Sequence, residues 1–443
     1  VYSLNVVLEP GTVQENVTVV AGADVVNSTS AELNTTVGQR QIQELPLNGR
    51  NPLALIGLQA GTASNGAAST TINGQQSSFT NITRDGINIQ DNFIRANATD
   101  FVPDRPNVDD VSEFTITTQN AGADQGYGAS QVQLVTPRGG QDFHGELFIY
   151  NRNSKFAANE FFNNLNGIEK PFLNRNQFGG TFRGPLPLPR FGEGGPVFYT
   201  GKAFFFAAYE GFRLRQSTTT TRTILLPPAR QGIFTYIDAA GATRQINVLT
   251  AAGVPADPLI ANRILANVPT AGNNPRVGDQ RNTTGFSFNQ AQNIDREKFT
   301  FRFDVEPSSR NRYMLVVNRG TETNFRPDVD NGGFNRIPFG FQGADRQSVV
   351  AAWNFIPTAT FTNDLRGGWF FSLPIFDRNA APTDFFLTLP LISSPESTFE
   401  RQGRDTHQYT ILDNATYATG SHSLRFGGAG TVLPHYSVWP TGV

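Results

Sequence analysis

Phe361-Thr-Asn-Asp-Leu-Arg-Gly-Gly-Trp-Phe-Phe371 alternates with a period of two. Phe361, Leu365, Trp369 and Phe371 fall on one side, and Thr362, Asp364 and Arg366 on the other. That period belongs to a β-strand with one apolar and one polar face. Glu297 to Val305 repeats it, with Phe299, Phe301, Phe303 and Val305 against Thr300, Arg302 and Asp304. His422 to Gly428 does the same, with Leu424 and Phe426 against Ser423 and Arg425. In a soluble sandwich the apolar face meets a core. In an outer-membrane barrel it meets lipid, and the polar face lines a wet lumen. Alternation is common to both.

The connections separate them. Strands are expected at 143–150, 176–183, 201–211, 297–305, 312–319, 346–356, 361–371, 407–417 and 422–430. Short connections (Glu306 to Asn311, Ile356 to Thr360, Ala418 to Ser421) alternate with long ones, the longest running from Phe212 to Arg296. Short turns at one end and long loops at the other are the pattern of an outer-membrane barrel. The connection Gly184 to Pro196 breaks the rule, being long where a short turn is expected. Within the longest loop, Asp257 as N-cap, Pro258 at the first helical position and Pro269 beyond the end predict a short helix. Phe204 to Phe206, Trp353, Phe355, Trp369 to Phe371, Tyr409 and Tyr417 are placed at strand ends, where interfacial aromatic girdles fall.

Composition agrees. Charged residues make up 16% of the 443, against roughly 25% in typical soluble domains. There are 37 Phe beside one Met and three Trp. A net charge of −2 supplies no electrostatic reason for a nucleic-acid partner. The absence of Cys removes disulfides, thiolate catalysis and Cys-ligated metals. No apolar run is long enough for a membrane-spanning helix, which leaves strands as the means of crossing a bilayer.

Before Arg138 the pattern differs. Val1 to Ala21 reads as two β-prone runs around Glu9-Pro10-Gly11, and Val17-Thr18-Val19-Val20-Ala21 is an extended segment able to add to another protein's sheet edge. From Ser30 to Pro137 a small α+β unit is expected. Ser30 to Gln43 reads as polar and helical, and Leu53 to Leu58 as a short apolar helix or buried run. Between them Leu45-Pro46-Leu47-Asn48-Gly49-Arg50-Asn51 forms a rigid corner. Arg84-Asp85-Gly86 predicts a hairpin turn inside Asn81 to Asp91. Strands are expected at Ser69 to Gly74 and Ser130 to Thr136, and Val108 to Thr118 is expected to begin with a turn and continue as a strand.

Catalytic signals are absent. His144, His407, His422 and His435 lack ligand spacing, although a short turn could set His407 and His422 opposite each other. No nucleophile elbow, zinc-protease, P-loop or dinucleotide motif occurs. The expectation is a non-enzyme with no cofactor.

Leu45 to Asn51 resembles the plug motif of Oar-like TonB-dependent outer-membrane receptors. Ile72-Asn-Gly-Gln75 with Arg84-Asp-Gly-Ile87, Phe143-His-Gly-Glu-Leu-Phe-Ile-Tyr-Asn-Arg152, and Asn174-Arg-Asn-Gln-Phe-Gly-Gly180 match that family in order. Val7 to Gly11 onward is similar to the end of a carboxypeptidase regulatory-like domain. Pro137 to Asp142 departs from the family's usual linker. The resemblance implies residues 1–22 as that domain's end plus the TonB box at Val17 to Ala21, 23–138 as plug, and 139–443 as the first strands of a larger barrel. It implies energised uptake of a glycan, peptide or chelate, with TonB pairing by strand addition and outer-membrane lipid around the wall. Asn48, Arg50, Arg84 and Asp85 would fix the plug to the wall. Nine strands fall short of the 22 such a barrel needs, so the chain reads as a fragment. An adhesion protein of the same architecture and a soluble all-β binding protein are the alternatives.

Overall fold

The computed structural model describes residues 31–64, 70–92, 103–122, 125–126, 128, 130–165, 167–189, 198–199, 201–329, 333–378, 389–394 and 400–438. The extended segment Val17 to Ala21 lies outside them.

The first unit contains β1 (Leu33–Gly38), β2 (Thr62–Ser64), β3 (Thr70–Ile72), β4 (Thr80–Arg84), β5 (Ile87–Asn88), β6 (Glu113–Gln119) and β7 (Ser130–Val135). Five of these form a sheet in the order β1-β6-β7-β4-β5, with β4 parallel to β7, and β2 pairs with β3 separately. Alternation drives one face inward: Ile82, Phe114, Ile116, Val132 and Leu134 are buried. They pack against Ile42, Leu53, Leu55, Ile56 and Ile72.

The polar stretch Ser30 to Gln43, expected as helix, is corrected. Leu33–Gly38 is a strand, and the helix is confined to Gln39–Glu44. The β-branched run Thr35-Thr36-Val37 favours extension, and pairing with β6 secures it, with Thr36 Oγ1 2.9 Å from Thr115 Oγ1. Leu53 to Leu58 lies in a 3₁₀ helix, Pro52–Leu58.

The second unit is one large antiparallel sheet. In chain order its elements are β8 (His144–Asn153), β9 (Leu173–Pro185), the small ribbon β10 (Leu188–Pro189) and β11 (Phe198–Tyr199), β12 (Ala203–Leu225), the loop hairpin β13 (Ile233–Ile237) and β14 (Thr243–Asn247), β15 (Thr283–Ala291), β16 (Ile294–Ser308), β17 (Asn311–Phe325), β18 (Gly340–Thr358), β19 (Phe361–Arg378), β20 (Gln402–Thr419), β21 (His422–Val432) and β22 (His435–Val438). The main path is β8-β9-β12-β16-β17-β18-β19-β20-β21, each strand beside its neighbour in the chain. All nine expected strands are present, most of them longer than expected. β15 extends the top of β12, and β22 pairs with β20. The ends β8 and β21 do not pair with each other, so the sheet is an unclosed barrel wall.

Ser309-Arg310, Ala359-Thr360 and Gly420-Ser421 close three tight hairpins at one end. The described residues of the long connections 154–172, 226–293, 326–339 and 379–401 lie at the other. In the longest, Asp257 Oδ1 accepts from Leu259 N at 2.7 Å, and helical turns run to Asn267 as expected.

Burial settles which face is which. Lys298 and Thr300 are 4% and 3% exposed, whereas Phe299 and Phe301 between them are 52% and 44% exposed. A water-soluble sandwich would invert those values. The polar face packs on the first unit, and the Phe-bearing face points away from all protein. One expectation is corrected here. Phe204, Phe206 and Phe370 share parity with the polar positions and are buried on the inner side, while Phe205, Trp369 and Phe371 stay outside.

Candidate functional site

The site is the contact between the first unit and the inner face of the wall. It begins at the corner. Leu45 N donates to Gln41 O at 3.1 Å as the helix ends, and Arg50 N donates to Leu47 O at 3.2 Å. Gly49 and Arg50 take φ values of 96° and 53°, left-handed conformations that only Gly adopts without cost. Asn51 then caps the next helix, its Oδ1 accepting from Leu53 N at 3.2 Å.

This path aims the corner at the wall. Asn48 Oδ1 accepts from Arg175 Nη1 at 2.9 Å, and Gly49 O accepts from Gln177 Nε2 at 3.5 Å. Arg50 pairs with Asp109, lies 3.5 Å from Glu210 Oε2, and stacks over Phe148 and Tyr150 at 4.3 and 4.8 Å. Leu47 instead packs toward the unit's own core. Burial pushes the Asp109 carboxyl above its ordinary range, against the opposing pull of Arg50.

The hairpin forms a second contact. Asp85 and Gly86, with φ of 51° and 88°, make the mirror-image turn between β4 and β5. The Asp85 carboxylate accepts from Thr136 N at 3.0 Å and Thr136 Oγ1 at 2.6 Å. Its carbonyl accepts from Arg366 Nη1 at 2.9 Å, and Arg366 is held in turn by Asp364. Ile87 enters the wall beside Val316, Val350 and Met314. Beyond it Asp91 pairs with Arg404, and Asn92 donates to Gln408 Oε1 at 2.6 Å.

Arg84, 2% exposed, lies at the centre. Its Nε donates to Thr136 Oγ1 at 3.1 Å, and its Nη2 donates to Asp110 O at 3.0 Å. Asp104 and Asp110 lie 3.5 and 3.3 Å away. Lys298 of the wall joins the same acids, 2.9 Å from Asp110 and 3.4 Å from Asp104. Thr300 Oγ1 donates to Asp110 Oδ2 at 3.1 Å, and Arg302 donates to Thr136 O at 2.6 Å. Burial opposes charge at Asp104, but Lys298, Arg84 and Arg346 outweigh it and hold the carboxyl below its ordinary range. At Arg84, too, burial is outweighed: Asp110, Asp104 and Asp85 hold the guanidinium above its ordinary value.

The corner and the hairpin, both singled out from sequence, therefore meet the wall at separate places. The reading missed Asp104, Asp109, Asp110, Arg175, Lys298, Arg302, Arg404 and Gln408. Their polar positions on wall strands were legible, but their partners were not. Expected neighbours His407 and His422 are set apart: His422 faces Thr419 at the tight turn, and His407 N bonds Pro434 O near the far end. Among the described residues no group of His, Asp or Glu is arranged to hold a metal ion.

A sheet with a lipid-type outer face, tight turns at one end and a polar inner face defines an outer-membrane barrel wall. The chain belongs to the outer membrane beta-barrel domain family, whose model matches residues 135–437. Its place is the outer membrane of a Gram-negative envelope. No curated protein matches the chain significantly. Among solved structures it is similar to the outer membrane transporter YddB of Escherichia coli, with a TM-score of 0.52 and 12% identity over 91% of this chain and 48% of that one. It is also similar to a mutant of the ferric enterobactin receptor PfeA of Pseudomonas aeruginosa, with a TM-score of 0.51 and 12% identity over 90% and 48%. The siderophore receptor PirA of Acinetobacter baumannii gives a TM-score of 0.52 and 10% identity over 90% and 47%. The chain spans about half the length of these structures. At such identities the likeness is one of fold.

Proposed function

We propose that the chain is part of a TonB-dependent outer-membrane receptor of the Oar-like kind, which takes up a large solute through a plugged barrel. Residues 23–138 are the plug, and 139–443 the first strands of the wall. The front, 1–22, is the end of a carboxypeptidase regulatory-like domain and carries the TonB box at Val17 to Ala21. TonB pairs with that segment by strand addition and pulls on the plug. The solute is a glycan, peptide or chelate; the enzyme class is not part of this reading.

One observation supports it most. Apart from Phe370 of the wall, which joins the plug's core, and Ile87, which enters the wall, the plug meets the wall through hydrogen bonds and ion pairs, with Lys298, Arg302, Arg366 and Arg404 reaching it. Water can replace polar contacts of this kind one at a time, whereas an apolar joint would have to be exposed as a whole. A unit that folds by itself and is held by exchangeable contacts suits a gate that moves and returns.

The test uses the full-length protein. A TonB C-terminal domain should bind it, and Val19→Pro should weaken that binding about tenfold by removing one strand hydrogen bond and the extended register. Full-length protein that binds no TonB and supports no energised uptake would overturn the reading, and would favour an adhesion role on the same architecture.

A further inference from the structure

The outward face of the wall is not uniformly convex. Gly180 and Ala207 stand diagonally adjacent on β9 and β12, in two rows otherwise filled by large side chains. The first row runs Leu147, Gly180, Tyr209, Phe299, Arg319, and the second Gly145, Phe182, Ala207, Phe301, Val317. Two small residues between those rings leave a depression of about 750 Å³, walled by Leu147, Phe178, Phe182, Tyr209, Phe299 and Phe301. Leu147 is 90% exposed, and among the described residues no protein group covers the dent.

Its height is set by the charged row above. Tyr209 Oη donates to Glu297 at 2.6 Å, and Arg213 pairs with Glu297 and with Asp295, 3.7 Å away. Arg319 lines the upper rim and lies 3.8 Å from Asp345. Below the dent only apolar outward residues follow, down to Phe205 and Phe303 near the tight turns. The depression thus opens just beneath the long-loop interface, in the outer half of the bilayer. It is continuous with the lipid-facing band.

We infer that this depression seats one acyl chain of an anionic outer-leaflet lipid, with the headgroup beside Arg319. Hydrocarbon fits the lining, since each buried methylene is worth about fourfold in binding. A fluid lipid annulus has no need of a dent, but a void left unfilled beneath exposed rings forfeits their dispersion contacts. Arg319 supplies the cation nearest the opening, and its 3.8 Å pairing with Asp345 is looser than those of Arg213 with Glu297 and Arg215 with Asp295. The inference rests on the outer-membrane placement alone, so it stands or falls separately from the transport reading.

The experiment is native mass spectrometry of the full-length protein, extracted from its own outer membrane in mild detergent. The unmodified protein should retain one acylated lipid per chain. Ala207→Phe fills the dent from the lipid side without touching the plug and should lower retention about tenfold. Ala351→Phe, a matching change on the same outer face away from the dent, should leave retention unchanged. Equal retention in all three proteins, equal loss in both variants, or no retained lipid would overturn the inference. So would a second copy of the chain in place of lipid, seen as a doubled mass that Ala207→Phe abolishes. Heat-modifiable electrophoretic migration confirms that each variant is folded before it is scored.

Discussion

Ile87 of the hairpin fills the space that Gly368 of β19 leaves open: a Cβ at Gly368 would collide with two atoms of the Ile87 side chain and crowd a third. The hairpin of the first unit and the wall are fitted at this point by the absence of one methyl group. Gly86, next to it, lies against Arg366, whose Cδ would be 3.0 Å from a Cβ there. With Phe370, which joins the core of the first unit, this contact is one of the apolar points in a largely polar interface.

Gly368→Val should expel Ile87 from its seat. Overpacking of this kind costs about 1–3 kcal/mol. Hydrogen exchange should quicken in β4 and β5 while the amides of β12 and β16 keep their protection. Unchanged exchange in the hairpin would show that Ile87 does not anchor it.

Arg84→Ala should be the most damaging single change in the first unit. It leaves Asp85, Asp104 and Asp110 buried with Lys298 as the remaining close cation, and stranding buried charge costs about 3–5 kcal/mol. Arg84→Lys should rescue little, because an ammonium cannot reach Thr136 and Asp110 at once as the planar fork does. Limited proteolysis of the first unit measures both.

Gly49→Ala should loosen the corner by about 1 kcal/mol through its left-handed φ of 96°, with no loss of side-chain contact. Arg50→Ala removes the pairing with Asp109 and the stacking over Phe148 and Tyr150. It should cost more than Gly49→Ala, read as faster exchange in Pro52–Leu58.

The acids respond oppositely to pH. Asp104 is held low, so its contribution is present above the ordinary aspartate range and fades as pH falls through its depressed value. Asp109 is pushed up, so its contribution is present below the ordinary range and fades as pH rises through its raised value. Asp104→Asn should therefore flatten the acid limb of protection in the first unit, and Asp109→Asn the opposite limb. Exchange measured from about pH 3 to pH 7 separates the two.

The strands of the wall were legible because their period of two survives in every segment: the side chain at 299 must point away from the one at 300, whatever lies beyond. The tight turns followed from Pro307, Pro357 and Gly420 at strand ends. The corner and the Asp85-Gly86 turn were equally local, since backbone sterics alone select Gly and Asp there. The exceptions follow one rule. Leu33 to Gly38 became a strand because β6 offered it hydrogen bonds, and Phe204, Phe206 and Phe370 turned inward because parity with Arg302 and Arg366 outranked their apolar character.

What the chain decided by itself, then, is each strand's two faces, the turns between strands, and the corner Leu45 to Asn51. Tertiary structure alone decided the partners: Arg50 with Asp109 and Glu210, Arg84 and Lys298 with Asp104 and Asp110, Ile87 with Gly368. Periodicity and turn chemistry act over a few residues of backbone. Charge pairing across the first unit and the wall joins residues far apart in sequence, and any of several arginines satisfies the same carboxylate until the folded wall leaves one within reach.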